Sequence, residues 1–463
     1  MLRRFFIPLM LALLVIAGGL YWMYGRTTQL RDVRAAVPVE HFKLSNGLSV
    51  VVMPNDRIPA VTHLLVVKAG SADDPYGKSG MAHYLEHLMF SGTKNFPEGV
   101  YDRSIARVGG TQNAYTTRDY TLYFSTVAKE HVPMVMAMEA DRLQNMEIND
   151  ISAARELKII REERSMRVDN SAAAQLVEQL DALTFLNHPY RQPVIGWAED
   201  METFTAADAQ QFFAERYRAS NMVLVMAGDI TVRDARRYAQ KYYGGLTSGG
   251  TPTRSWPKEP KLKLARHAQM QDAKAKEPRL IRQYVAPSVH GGDRSKAMAL
   301  ELLSHYLGGG ETSLLYQKLV REQKLATAIE VDYSSLSLGP ALFRMMATPA
   351  ADVSLPQLEQ ALERELASMV ANAPDGAALE RSKTLFKAEV VFAQDGIAPL
   401  AHVMSQLYAV GLDEQYFYDW TAMVDRVTAT ELQAAAAAVL TPGNQVTGYL
   451  LPANAATEVP HAP

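Results

Sequence analysis

The segment His83-Tyr84-Leu85-Glu86-His87 sets two imidazoles and a carboxylate within one short stretch. If the segment is helical, His83 and His87 stand one turn apart on the same face. Their nitrogens could then share one metal ion at about 2.0–2.1 Å, the usual zinc–imidazole distance. Glu86 shares that face and is placed to take a proton from water without ligating. A catalytic zinc takes three protein ligands, leaves one position open and lowers the pKa of water towards about 7. A surface helix can carry the same residues, and a chain with 11 histidines has some chance of meeting the pattern. The flank of Leu85, Leu88 and Met89 favours the metal reading. It marks a segment that packs, where buried polar groups need partners. Ser79 could cap the start of this helix, and Gly92 could end it.

A third ligand must come from another element. Residues 153–168 have helical spacing, and Glu156 and Glu163 fall on one face, two turns apart, with Glu162 a quarter-turn away. Spacing alone does not separate a metal-binding pair from an ordinary solvated, charged helix.

Composition narrows the chemistry. The chain has 463 residues and no cysteine, so any metal must be held by His, Asp or Glu, and a cysteine nucleophile is excluded. The formal charge is −3 with no long basic block, which argues against nucleic acid as a partner. A hydrophobic share of 48% with 21% charged residues is that of a packed globular protein, long enough for two or three domains.

These residues have to be positioned by folded elements. Arg3 and Arg4 precede an uncharged apolar run from Phe5 to Tyr24. About twenty helical residues span roughly 30 Å, enough to cross a bilayer. Residues 1–30 therefore read as a signal anchor, or as a signal peptide cut near Ala17-Gly18-Gly19 that releases the body. Both readings put the body across a membrane, which points to a bacterial periplasm, with the anchored form tethered to the inner membrane. Beyond a short spacer, Asn46-Gly47 between apolar runs predicts a hairpin. Residues 38–248 then form one folded region. Residues 249–278, rich in Gly, Ser, Pro and Lys, read as a linker, and a second region covers 279–455.

The two regions look like copies. Thr205 and Thr428 each open a helical stretch with an acid three residues on (Asp208, Glu431), and Asn221 and Asn444 follow at the same distance before an apolar strand. Met81-Ala82 and Met298-Ala299 likewise start matching segments. Where the first copy has His83, Glu86 and His87, the second has Leu300, Leu303 and Ser304. Only one copy carries the polar set.

Together these motifs resemble the pitrilysin/insulinase family of zinc peptidases, in the short form related to the zinc subunit of the mitochondrial processing peptidase. The resemblance covers nearly all of the chain after the apolar segment. It rests on residues 83–93, on Gly109-Gly110-Thr111-Gln112-Asn113-Ala114-Tyr115-Thr116, on Glu156 and Glu163-Arg164, and on Asn187-His188-Pro189-Tyr190, Gly196-Trp197, Tyr217, Asn221 and Gly228-Asp229. It implies an α+β fold of two homologous halves, each an antiparallel-rich mixed sheet covered by helices, together making half of a clamshell chamber. Residues 38–248 would be the catalytic half and 279–455 an inactive copy. One zinc ion would be bound by His83, His87 and Glu163. Glu86 would be the general base, with Glu156 a catalytic carboxylate tuning the site. Asn113 and Ala114 would pair with an extended peptide substrate, and Arg321 of the second half would reach it. His188 falls in a structural loop. The family tyrosine expected seven positions after Arg321 is Ala328 here, and Tyr333 lies too far along to replace it. That departure implies a zinc subunit working with a metal-free homologous chain, or a homodimer. Two other readings are a non-catalytic scaffold of the same fold and a binding module with structural zinc.

Overall fold

The computed structural model describes residues 38–453 apart from 293 and 394–395. The apolar segment 1–30 lies outside the described residues. Among those described, no helix is long and apolar enough to cross a membrane.

The chain opens with the hairpin expected at Asn46-Gly47, pairing β1 (Glu40–Lys43) with β2 (Ser49–Pro54). Gly47 takes φ +93°, where a side chain would be strained. The first sheet is completed by β3 (Ala60–Val67), β4 (Thr111–Thr116), β5 (Thr121–Ala128) and β6 (Met222–Gly228), in the order β1-β2-β6-β3-β5-β4. Strand β6 is buried along its whole length, whereas β4 is the partly exposed free edge. The second sheet contains β7 (Arg266–Asp272), β8 (Arg279–Ala286), β9 (Ala326–Tyr333), β10 (Ala341–Pro349) and β11 (Gln445–Pro452), in the order β7-β11-β8-β10-β9.

Apart from β1, which has no counterpart among the described strands, the two sheets have one topology. Strands β2 and β6 run parallel, as do β7 and β11, and each later neighbour is antiparallel. Strand β9 is thus the counterpart of β4, and β7 of β2. The α+β fold of two like halves is the one expected.

Helices of eight or more residues cover the sheets. In the first half they are α1 (Met81–Leu88), α2 (Val100–Arg107), α3 (Val132–Asn145), α4 (Asp150–Arg164), α5 (Ala172–Thr184), α6 (Ala206–Arg216) and α7 (Val232–Tyr243). In the second they are α8 (Arg294–Gly308), α9 (Leu355–Ala371), α10 (Gly376–Ala393), α11 (Ile397–Ala409), α12 (Glu414–Arg426) and α13 (Ala429–Val439). Thr205 and Thr428 cap α6 and α13 in capping boxes closed by Asp208 and Glu431. On α8, Leu300 and Leu303 are fully buried, and the Ser304 hydroxyl donates to its own helix at Glu301 O.

The halves exchange helices. Helix α5 packs on the second sheet, where Leu176 and Leu180 join Ile281, Val446 and Leu450 in one cluster. Helix α11 packs in return on β3 and β6. Gly448 of β11 is needed for this contact, because a Cβ there would sit 2.6 Å from Leu180 Cδ1. Asp181 of α5 pairs with Arg118 at 2.7 Å and also with Arg344 of β10.

The stretch 249–278 differs from the linker expected. It contains β7, which completes the second sheet and escaped notice because its residues alternate in exposure and carry no apolar run. It also contains Arg254, whose guanidinium donates to both Asp73 oxygens (3.0 and 2.6 Å), to Lys68 O (2.9 Å) and to Asp119 O (2.5 Å). Asp73 is almost fully buried, and without Arg254 it keeps only Arg216 at 3.4 Å and the Gly70 amide at 3.1 Å. Arg254→Ala is expected to destabilise the protein by about 1–3 kcal/mol, read as a lowered midpoint in chemical denaturation with the fold retained.

Candidate metal centre

Helix α1 begins where two backbones touch. Gly80 has φ +89° and Gly196 φ +90°, and a Cβ on either would lie 2.5 Å from Ile195 O or 2.2 Å from Ser79 O. The cap is not the one expected from Ser79. Asp74 instead accepts hydrogen bonds from the amides of Gly80 (2.7 Å) and Ala82 (2.8 Å). Ser79 bridges elsewhere, donating to Asp200 (2.5 Å) and accepting from the Trp197 amide (2.9 Å). The helix proper ends at Leu88, ahead of the Gly92 stop. Met81, Tyr84, Leu85 and Leu88 anchor α1 in the core.

Helix α4 starts at a capping box formed by Asn149 and Ser152. The Tyr84 hydroxyl donates to Ala153 O (2.7 Å) and ties α1 to α4. At the far end Arg164 forms a two-pronged pair with Glu178 (2.8 and 2.9 Å) and donates to Gly196 O (2.7 Å). The result sets Glu163 and Glu156 opposite the two histidines.

His83 Nε2 lies 3.6 Å from Glu163 Oε2, and His87 Nε2 lies 3.1 Å from the same oxygen. Among the described residues, His83, His87 and Glu163 are the group whose donor atoms all fall within 4.8 Å of one another. Two donors about 2.1 Å from a tetrahedral zinc lie roughly 3.4 Å apart, so the donor set fits zinc. Glu156 is not in this group. Its Oε2 lies 3.8 Å from His87 Nδ1, the ring nitrogen on the other side, and Arg155 holds its Oε1 at 3.1 Å. A carboxylate behind a ligand histidine orients the ring and raises its basicity. Glu86 accepts a hydrogen bond from the Thr116 hydroxyl (2.5 Å), which fixes its carboxylate beside the end of β4. Glu162 faces solvent.

The electrostatics call for a cation. Burial, reinforced by neighbouring His87, pushes His83 down to about 4. Burial also acts to lower His87, but its bonds to Glu156 and Glu163 outweigh it and raise the ring to about 9. Burial raises Glu86 above the usual carboxylate range. With His87 raised and Glu156 and Glu163 lowered, the cluster favours positive charge between those two carboxylates, a place suited to a divalent ion.

The cluster lies in a cleft of about 670 Å³ floored by Gln112 to Thr116 of β4. Asn113 and Ala114 lie there on the sheet's edge strand. Arg321 is not among the residues that line the cleft. Its side chain is exposed and paired with Glu311 at 2.8 Å. Ala328 sits exposed on β9, while Tyr333 is buried and donates to Pro287 O (2.6 Å), so the tyrosine is not replaced. His188 is buried among Tyr190, Phe185 and Trp256, as a structural residue. Two residues without an assigned role join the site. Thr116 stood in the β4 motif, and Arg167 pairs with Glu163 Oε1 at 2.9 Å from the π-helical turn after α4. Arg167 stands four residues after Glu163, the spacing at which helical side chains pair, whereas no spacing rule points to Thr116, which acts from a strand end.

A histidine pair one helical turn apart, faced by a carboxylate from a second helix within one of two like halves, defines the class: a metallopeptidase-type chain. Comparison with known proteins narrows it. Residues 50–197 match the family profile described as insulinase (peptidase family M16), and residues 203–386 match the peptidase M16 inactive domain. The chain belongs to the insulinase family of peptidases. It is 30% identical over 292 residues to zinc protease PqqE of Helicobacter pylori, covering 62% of this chain and 65% of that protein. It is 33% identical over 217 residues to the probable mitochondrial-processing peptidase subunit beta of Schizosaccharomyces pombe, covering 47% of each. These alignments thus span about half to two thirds of the relatives' lengths. The crystal structure of a protease from Helicobacter pylori superposes with a TM-score of 0.84 at 25% identity, over 90% of this chain and 100% of that one.

Two substitutions separate ligand from support. Glu163→Gln is expected to abolish stoichiometric zinc binding. Glu156→Gln should keep one zinc per chain with affinity weakened about 10- to 100-fold. Competition against a chromophoric chelator measures both, and equal affinities for the two variants would contradict the assignment.

Proposed function

We propose that this chain is a zinc-dependent endopeptidase acting on extended peptides or unfolded segments. The observation that carries the reading is the convergence of His83, His87 and Glu163 beside Glu86, in a cleft floored by a free sheet edge. His83, His87 and Glu163 hold the metal. Bound zinc supplies Lewis acidity, polarising a peptide carbonyl and lowering the pKa of water. Glu86 takes up the proton and returns it to the departing amine. Burial raises its proton affinity, which suits both steps, and the Thr116 hydroxyl keeps its carboxylate aimed. Glu156 holds the His87 ring. The edge of β4 at Asn113 and Ala114 offers main-chain hydrogen bonds to a substrate strand, a mode that reads backbone more than side chains.

The active form is a dimer. Arg321 lies outside the cleft and Ala328 stands where the family has tyrosine, so a second chain, metal-free homologue or identical copy, completes the substrate contacts. The segment 1–30 tethers the body to the inner membrane from the periplasm, or releases it there after cleavage.

Glu86→Gln should bind zinc like wild type and lose peptide hydrolysis by about 10²- to 10⁴-fold in kcat/KM. Zinc content and cleavage of an unfolded protein substrate, with and without a candidate partner chain, decide it. Zinc-loaded wild type that cleaves nothing in any pairing would favour the scaffold reading.

A further inference from the structure

Two openings meet beside the metal centre. The cleft around the histidines is bounded on one side by Val168, Val194 and Ile195. The same three residues line a second opening of about 450 Å³. Its other walls are Ala173 and Val177 of α5 and, from the second half, Ile281 and Met346. The exchange of α5 onto the second sheet creates this composite wall. Val177, Val194, Ile195 and Met346 are only partly covered, so apolar surface faces water there. The charged side chains of the lining already have partners. Arg118 pairs with Asp181 at 2.7 Å, Glu178 with Arg164 at 2.8 Å and Arg279 with Glu277 at 2.9 Å. What the opening offers a ligand is exposed apolar area.

Strand β4 leads towards it. Its free edge runs past the metal cluster from Gln112 to Thr116, and two residues later Arg118 lines the second opening. A peptide added to that edge would pass the cluster beside the residues the two openings share.

We infer that the second opening is a subsite taking one bulky apolar side chain (Leu, Met, Phe or Val) of the extended substrate, at a fixed distance in sequence from the bond cut. The inference rests on the zinc-peptidase reading and adds a substrate preference to it. Both halves then read the substrate, the first by backbone pairing at β4 and the second through Met346, which Ile281 backs from the core. The preference should be about tenfold or more, the scale on which a buried apolar side chain discriminates.

The test uses the full-length zinc-loaded chain and a positional-scanning library of extended peptides, with cleavage sites read by mass spectrometry. Wild type should enrich apolar residues at least about tenfold at one position fixed relative to the cut. Val177→Asp and, independently, Val194→Asp should erase that enrichment or shift it towards basic residues, while Val177→Ala only weakens it. Because the readout is a profile and not a rate, partial loss of folded protein does not imitate the effect. A flat wild-type profile, or an unchanged profile in both Asp variants, would overturn the subsite. Peptide binding to Glu86→Gln by fluorescence anisotropy separates the two readings. If wild type cleaves nothing, an apolar preference in binding that both Asp variants abolish still upholds the subsite, and its absence overturns it.

Discussion

The packing of α1 against α4 is the constraint on which the site depends. It places three carboxylates and two imidazoles in a poorly solvated space, an arrangement that is costly without a compensating cation. Each end of the contact is held by a separate device. Tyr84 reaches the backbone of α4 near its start, and Arg164 fastens its end to Glu178 and to the Gly196 carbonyl. Gly196 in turn lies against Ser79 and Gly80 at the start of α1. The loop that positions one helix is therefore the loop that anchors the other, and ligands from distant parts of the chain share one frame.

The second half shows the same frame without the chemistry. Its sheet repeats the strand order and direction of the first apart from β1, and α8 occupies the place of α1. Leu300 and Leu303 fill the positions of His83 and Glu86 with side chains a buried helix accommodates without partners. This half receives α5, returns α11, and supplies part of the wall of the second opening.

Much of this was legible because it is local. Histidines four apart on a helix must share a face, a Thr followed three residues later by an acid makes a capping box, and Asn-Gly between apolar runs makes a hairpin. Glu163 was harder, since two glutamates on one helical face look alike in sequence, and the resemblance to a family chose between them. The structure separates them by distance, Glu163 facing both Nε2 atoms and Glu156 only the far nitrogen of His87. The stretch 249–278 reads as a linker in sequence, yet it supplies β7, because an edge strand with one solvated face needs no apolar run.

By itself, then, the sequence determined the candidate metal-binding pair with its neighbouring carboxylate, the absence of thiol chemistry and the duplication. Each follows from residue type and short-range helical or strand geometry. Only the tertiary structure decided which carboxylate faces the histidines, that Asp74 caps α1, that Thr116 aims Glu86, that Arg321 stays outside the cleft and that the halves exchange helices. These depend on contacts between residues far apart in the chain, and no periodicity within a segment records where another segment will pack.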